Sequence, residues 1–170
     1  MNFEPEAENR WESPAAIPFE LGSIPLLANG QSRTSLVQGQ RLISHGMVIA
    51  EGGEVTLHAH RQEEHIFLVL SGQARFEFLP PQDPMLLAAL QGILIPADCL
   101  YSFTRVGTEN LVMLRIGSAR GPESVRVGLD GQHLRGKSAA AGWEEGVADQ
   151  DGRNLGTLFR SFSTPEKVVE

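Results

Sequence analysis

The sequence predicts an all-β fold: one antiparallel β-sandwich or barrel with an N-terminal arm and an irregular C-terminal tail. Three observations carry this. From Thr34 to Ser118, short runs rich in Val, Ile, Leu and Phe succeed one another: RLISHGMVIA, EVTLHAH, IFLVL, QARFEFL, ILIP, LYSFTRV and LVMLRIG. Turn pairs such as Gly52-Gly53, Ser71-Gly72 and Ala97-Asp98 bound them, and none of the runs carries a helical period. The chain has 170 residues, 41% of them apolar, which is enough for one domain with a real core and too little for two of ordinary size.

Taken in order, residues 1–33 are punctuated by Pro, Gly and Glu around short apolar pieces, which predicts an arm packed on the domain with one edge strand at most. Residues 34–118 form the barrel; within them MLLAAL reads as a strand, with a single helical turn as the alternative. Residues 119–170 lose the strand rhythm, turn Gly-rich, and end in the apolar-aromatic piece TLFRSF and a charged terminus. Such a tail lies on the surface, covering the barrel or reaching a second subunit.

Charge and cysteine usage narrow the function classes. Fourteen Lys and Arg against 21 Asp and Glu give a formal net charge of −7, and no basic stripe is present to neutralise phosphates, so nucleic acid and anionic membrane are not expected partners. The acidic start MNFEPEAENRWESP has no basic-then-apolar signal pattern, and no stretch approaches the ~18 apolar residues of a membrane span. A single cysteine, Cys99, rules out an internal disulfide framework. The expectation is a cytoplasmic protein. Nothing around Cys99 lowers its pKa visibly, so it is read as inert.

The most informative stretch is GGEVTLHAHRQEEHIFLVLSG, residues 52–72, with His58, His60 and His65 close together. On a strand, alternate side chains share a face, so His58 and His60 project together with Cα atoms ~6.7 Å apart. Two imidazoles so placed converge on one ion at ~2.0–2.1 Å. The four-residue connection RQEE returns the chain so that His65 comes back beside the pair. Gly52, Gly53 and Gly72 frame this hairpin with residues that accept a positive φ.

These residues, G-x5-H-x-H-x4-H-x6-G from Gly52 to Gly72, resemble the first motif of the cupin superfamily, in which two His and a Glu bind a divalent metal inside a small β-barrel. His65 stands where that family usually has Glu, with Glu63 and Glu64 just before it. The second motif, usually G-x5-P-x-G-x2-H, is matched in part by GILIPADCLYSF: Gly92 and Pro96 fit, Asp98 stands at the second Gly, and Tyr101 stands at the fourth ligand, His. The two motifs cover residues 46–106, and the flanking strands extend the likeness to 34–118. The resemblance implies a double-stranded β-helix, or jelly-roll barrel, holding a metal.

The resemblance also implies roles for single residues. The ligands are His58, His60 and His65, with Glu64 as an alternative third ligand; alternation favours His65, because it puts Phe67 and Val69 on the metal face instead of Ile66, Leu68 and Leu70. Tyr101 is a fourth ligand as phenolate, a catalytic donor beside bound substrate, or core. His45, Phe67, Phe76, Phe103 and Arg105 are expected around the substrate, His45 as a donor or a core histidine and Arg105 as a carboxylate partner or a solvated end. His133 is read as a surface residue. Several cupin dioxygenases that use ferrous iron are held by three histidines, so the resemblance favours Fe(II) over Zn, Mn or Ni and a mononuclear non-heme iron dioxygenase over isomerase, lyase or decarboxylase chemistry. A non-catalytic small-ligand-binding cupin is the reading from a different class. A homodimer is expected as well, because Leu111 and Met113 on one face of LVMLRI and Val112 and Leu114 on the other leave one apolar face for a partner.

Overall fold

The computed structural model describes residues 14–118, 125–134 and 147–162. Its strands are β1 (Leu27–Asn29), β2 (Gln31–Gln38), β3 (Leu42–Ile49), β4 (Val55–Arg61), β5 (His65–Ser71), β6 (Gln73–Phe78), β7 (Met85–Ala88), β8 (Gly92–Ile95), β9 (Tyr101–Val106), β10 (Leu111–Ser118), β11 (Val125–Val127) and β12 (Val147–Ala148). One helix among the described residues, α1 (Leu155–Phe162), comes after them. Two five-stranded antiparallel sheets, in the orders β2-β3-β10-β5-β8 and β11-β4-β9-β6-β7, face each other, and β1 pairs with β12 in a small third sheet. MLLAAL contributes β7, so the strand reading of that run is the observed one.

Alternation builds the interior. On β5, His65, Phe67 and Val69 are buried whereas Ile66 is exposed, so the odd-numbered side chains face the opposite sheet. The main core joins Met47 and Ile49 of β3, Leu111 and Met113 of β10, and Phe76, Tyr101 and Phe103 of the second sheet. Gly52 and Gly72, both at φ 76°, turn the chain before β4 and after β5. Gly53 has a different role: a Cβ there would collide with the Gly30 carbonyl, so it is close approach, and not a positive φ, that this position requires.

A second apolar cluster lies on the outer face of β3 and β10. Val48, Ala50 and Val112 pack there beneath Ile24, Leu26 and Leu27 of the N-terminal segment and Leu155 of α1. Ile24 sits so close to Gly46 that any side chain at that position would displace it. The face of β10 for which a partner was expected is therefore covered at Val112 by the chain's own arm and tail. This removes the sequence argument for a dimer through that face. The boundaries shift too: the arm–barrel division at 33/34 falls inside β2, and β11, from the tail, is an edge strand of the second sheet.

Candidate metal and ligand site

Strands from both sheets bring the site together. His58 and His60 project from β4, His65 opens β5, and the turn between them carries Gln62 at φ 62° and Glu63. That left-handed residue reverses the chain within few positions and delivers Glu63 to the inside, where it is 4% exposed. The nitrogen and oxygen donors of His60, Glu63 and His65 all lie within 4.8 Å of one another. Glu63 Oε1 is 2.7 Å from His65 Nε2, and Oε2 is 3.3 Å from His60 Nδ1. Gly117, the cross-strand partner of His65, makes room: a Cβ there would meet Glu63 Oε1 at 2.6 Å and His65 Cδ2 at 3.0 Å.

Of the expected ligands, His60 and His65 belong to the trio. His58 stands beside it, its ring centroid 5.1 Å from that of His60, and its Nδ1–H donates to the Thr56 carbonyl at 2.8 Å, which leaves Nε2 as the lone-pair atom. Glu64 is exposed and faces away, its backbone N–H donating to Ser118 Oγ, so the carboxylate of the cluster is Glu63 instead. Tyr101 is buried with its hydroxyl 3.4 Å from His65 Nδ1, on the side of the ring away from Glu63. Burial raises its pKa, and its hydroxyl stands outside the trio, across the His65 ring from Glu63. Asp98, at the usual Gly of the second motif, is left-handed at φ 63°, a conformation that favours glycine, and its N–H donates to the His60 carbonyl.

Phe67 and Phe103 line a cavity between the sheets, whereas Phe76 packs behind them with ring centroids 5.6 and 5.1 Å away. His45 lies under Arg115, whose Nη1 donates to His45 Nδ1 at 3.3 Å. Arg105 is not among the cavity residues; it donates to the Gly107 carbonyl and approaches Glu51 at 3.9 Å, because it sits at the far end of β9. Cys99 is half-buried with a raised pKa, in keeping with an inert thiol.

Four residues were not anticipated: Glu63 as a site member, Arg33 (β2), Arg115 (β10) and Arg126 (β11). The signal for Glu63 was its parity, since an inward His65 puts the residue two before it on the same face. Arg115 carried a similar signal, being the inward-parity residue after Leu111 and Met113 on an otherwise apolar strand. Arg126 carried none, because nothing in the tail's composition announces β11.

Burial dominates the electrostatics. It lowers the pKa of His58 to about 3 and of His60 to about 4, and lowers that of His65, against the opposing pull of Glu63 on the latter two. All three imidazoles are thus neutral near pH 7, the form that ligates metal. Arg115 Nη2 donates to Glu63 Oε1 at 2.8 Å and also contacts His65 Nε2. His65 Nε2 thus faces both Arg115 Nη2 and, at 2.7 Å, Glu63 Oε1, to which a protonated Nε2 donates and beside which an unprotonated Nε2 offers a lone pair. The buried His60 Nδ1 points toward the same carboxylate without the geometry of a hydrogen bond. The donor set therefore fits a divalent ion, with Arg115 as a tethered cation at the same acceptors.

No family model matches the sequence, and no curated protein matches it. Solved structures do match in fold. An uncharacterized conserved protein with a double-stranded β-helix domain from Klebsiella pneumoniae is similar at TM-score 0.53 and 13% identity, over 61% of this chain and 90% of that one. A conserved protein of unknown function from Streptococcus pyogenes is similar at TM-score 0.51 and 22% identity, over 64% of this chain and 91% of that one. A cupin superfamily protein from Desulfitobacterium hafniense is similar at TM-score 0.49 and 20% identity, over 63% and 94%. The likeness to the double-stranded β-helix domain shows that this chain has that fold. Among the described residues no helix is long and apolar enough to cross a membrane.

Proposed function

We propose that this chain is a divalent-metal cupin that acts on a small organic molecule held between the two sheets. The observation that carries the reading is the buried trio of His60, Glu63 and His65, with donor atoms within 4.8 Å of one another. Two imidazoles and one carboxylate suit first-row metals, and with open positions they are the donor set of non-heme Fe(II) oxygenases, so Fe(II) is favoured and a dioxygenase-type reaction with it. Iron bound there would supply Lewis-acid and one-electron chemistry. The protein's own contribution is positional. Tyr101, at 3.4 Å, orients the His65 ring through Nδ1 and leaves Nε2 for the metal side. Met47, Val55, Phe67 and Phe103 form the apolar walls that limit water in the cavity. Elemental analysis of protein purified without added metal, together with oxygen-uptake assays over small organic acids, tests the reading: bound iron and uptake are expected, and zinc alone with no uptake would contradict the oxygenase part.

One contact favours a second reading. Arg115 already supplies a positive charge to Glu63 and His65, and a barrel in which it remains there permanently is a metal-free, non-catalytic ligand-binding cupin. Metal content separates the two readings directly.

A further inference from the structure

A single guanidinium bridges two strands and the turn at the centre of the site. Arg115 is buried at the next inward position of β10 after Met113, and its two terminal nitrogens serve different groups. Nη1 donates at 3.3 Å to Nδ1 of His45, its register partner on β3. Nη2 donates to Glu63 Oε1 at 2.8 Å and also contacts His65 Nε2, and these two atoms are themselves 2.7 Å apart. Nη2 therefore stands against the same oxygen and the same nitrogen that a divalent ion would draw from Glu63 and His65.

The two uses exclude one another. An imidazole nitrogen has one lone pair, and a guanidinium only donates hydrogen bonds. Whether His65 Nε2 carries a proton toward Glu63 or offers its lone pair to Arg115, ligation takes that lone pair and leaves Nη2 nothing to bind there. Charge acts in the same direction, because a guanidinium and a divalent ion at one buried carboxylate oxygen repel strongly. Arg115 has room to release both atoms without leaving the barrel. It lines the cavity between the sheets, whose volume is about 30 Å³, space for roughly two water-sized atoms and so for one nitrogen of the guanidinium fork. Nη1 meanwhile keeps the side chain tied to His45.

We propose that Arg115 is a built-in competitor of the metal: Nη2 holds Glu63 and His65, releases both when a divalent ion loads, and swings into the cavity while His45 retains the other end of the fork. The inference rests on the metal reading of the trio and adds the regulation of that site. Loading exchanges a buried, charge-assisted contact for the ion, so the apparent affinity falls by the fraction of chains in which Nη2 has let go. An arginine that merely fixed a ligating carboxylate would act the other way and strengthen the metal's hold. The two roles thus differ in the sign of one variant's effect.

The test is a titration of Zn(II), against a competing chelator, into the full-length wild-type chain and into Arg115→Met. The variant is expected to bind Zn(II) about 10- to 100-fold more tightly, the strength of one hydrogen bond to a charged group. Equal or weaker binding by a folded Arg115→Met overturns the proposal and leaves the metal reading standing. A second arm needs no variant. In wild-type protein labelled with 15N-arginine, the Arg115 Nη–H signals, assigned by through-bond correlation from its backbone, should lose their protection from solvent exchange in proportion to Zn(II) occupancy. Protection kept at full occupancy also overturns the proposal. Zn(II) binding by Arg115→Met alone is the extreme form of the competition and supports it. No Zn(II) binding by either protein removes the metal reading, and this inference with it.

Discussion

The carboxylate of Glu63 lies over the α-carbon of Gly117, so close that a Cβ at position 117 would meet Oε1 at 2.6 Å. Gly117 is also the register partner of His65, so one glycine on β10 leaves space for two members of the trio. Gly117→Ala is expected to push the Glu63 carboxylate, the far end of a flexible side chain, out of the cluster while the sheets remain intact. Metal content should fall, with thermal stability nearly unchanged. A variant that keeps its metal would show that Glu63 is not a ligand.

The two adjacent glutamates should behave oppositely. Glu63→Gln removes the one anionic donor of the trio and replaces the charged partner of Arg115 by a neutral amide oxygen, so metal should be lost and the fold weakened, because breaking a buried ion pair typically costs about 3–5 kcal/mol. Glu64→Gln, on the exposed side, should change neither. His60→Ala and His65→Ala are expected to abolish metal retention. His58→Ala, beside the trio, should weaken it about 10- to 100-fold, as loss of an outer-shell partner does. Equal loss from His58→Ala and His60→Ala would make His58 a ligand.

Tyr101→Phe should keep the metal and alter its hold. The hydroxyl supports His65 Nδ1 from the far side of the ring, away from the donor atoms of the trio. With the hydroxyl so placed, no visible charge-transfer band is expected from ferric-loaded wild-type protein. A band that Tyr101→Phe abolishes would establish a phenolate ligand. In an assay of turnover, the variant should be slowed, by up to about 10²–10⁴-fold if the hydroxyl is the proton donor.

Metal-free protein should lose stability as the pH falls below neutrality. His45, His58 and His60 have folded-state pKa values lowered to about 4, 3 and 4, chiefly by burial, against 6.5 when unfolded. Between those limits the unfolded chain binds more protons than the folded one, so stability rises with pH across the window and is flat above it, with a slope of up to about 1.4 kcal/mol per pH unit for each group. Urea denaturation at pH 7 and pH 4.5 checks this. Equal midpoints would mean that the imidazoles are not held neutral.

A homodimer remains our proposal, through a different face from the one the sequence suggested. Ile66 of β5 and Leu94 of β8 are register partners, 47% and 57% exposed, on the outer side of the sheet edge formed by β8. Paired exposed apolar residues beside a sheet-edge strand suit a second copy of the chain. Light scattering should give twice the 18.5 kDa chain mass, and Leu94→Glu should give a monomer. A wild-type monomer at micromolar concentration ends this proposal.

The legible part of the sequence was periodic. Strand alternation is enough to place His65, Phe67 and Val69 inward and Ile66 outward, and turn glycines mark both ends of the hairpin. The illegible part was long-range or non-periodic. Glu63 enters through a turn whose left-handed residue is Gln62, which carries no glycine signal. Arg126 reaches the cavity because a three-residue strand from the tail pairs with β4, so that Arg126 stands opposite His60, far from it along the chain. The covering of Val112 by Ile24 and Leu155 likewise joins both ends of the described chain. Local pattern specifies strands; it does not specify what packs on them.

The most direct measurement is the metal content of full-length protein purified without added metal or chelator. Binding by His60, Glu63 and His65 predicts close to one divalent ion per chain, retained through gel filtration and lost in Glu63→Gln. Metal-free wild-type protein, with Glu63→Gln indistinguishable from it, would contradict the metal centre and leave Arg115 as the resident cation of this barrel.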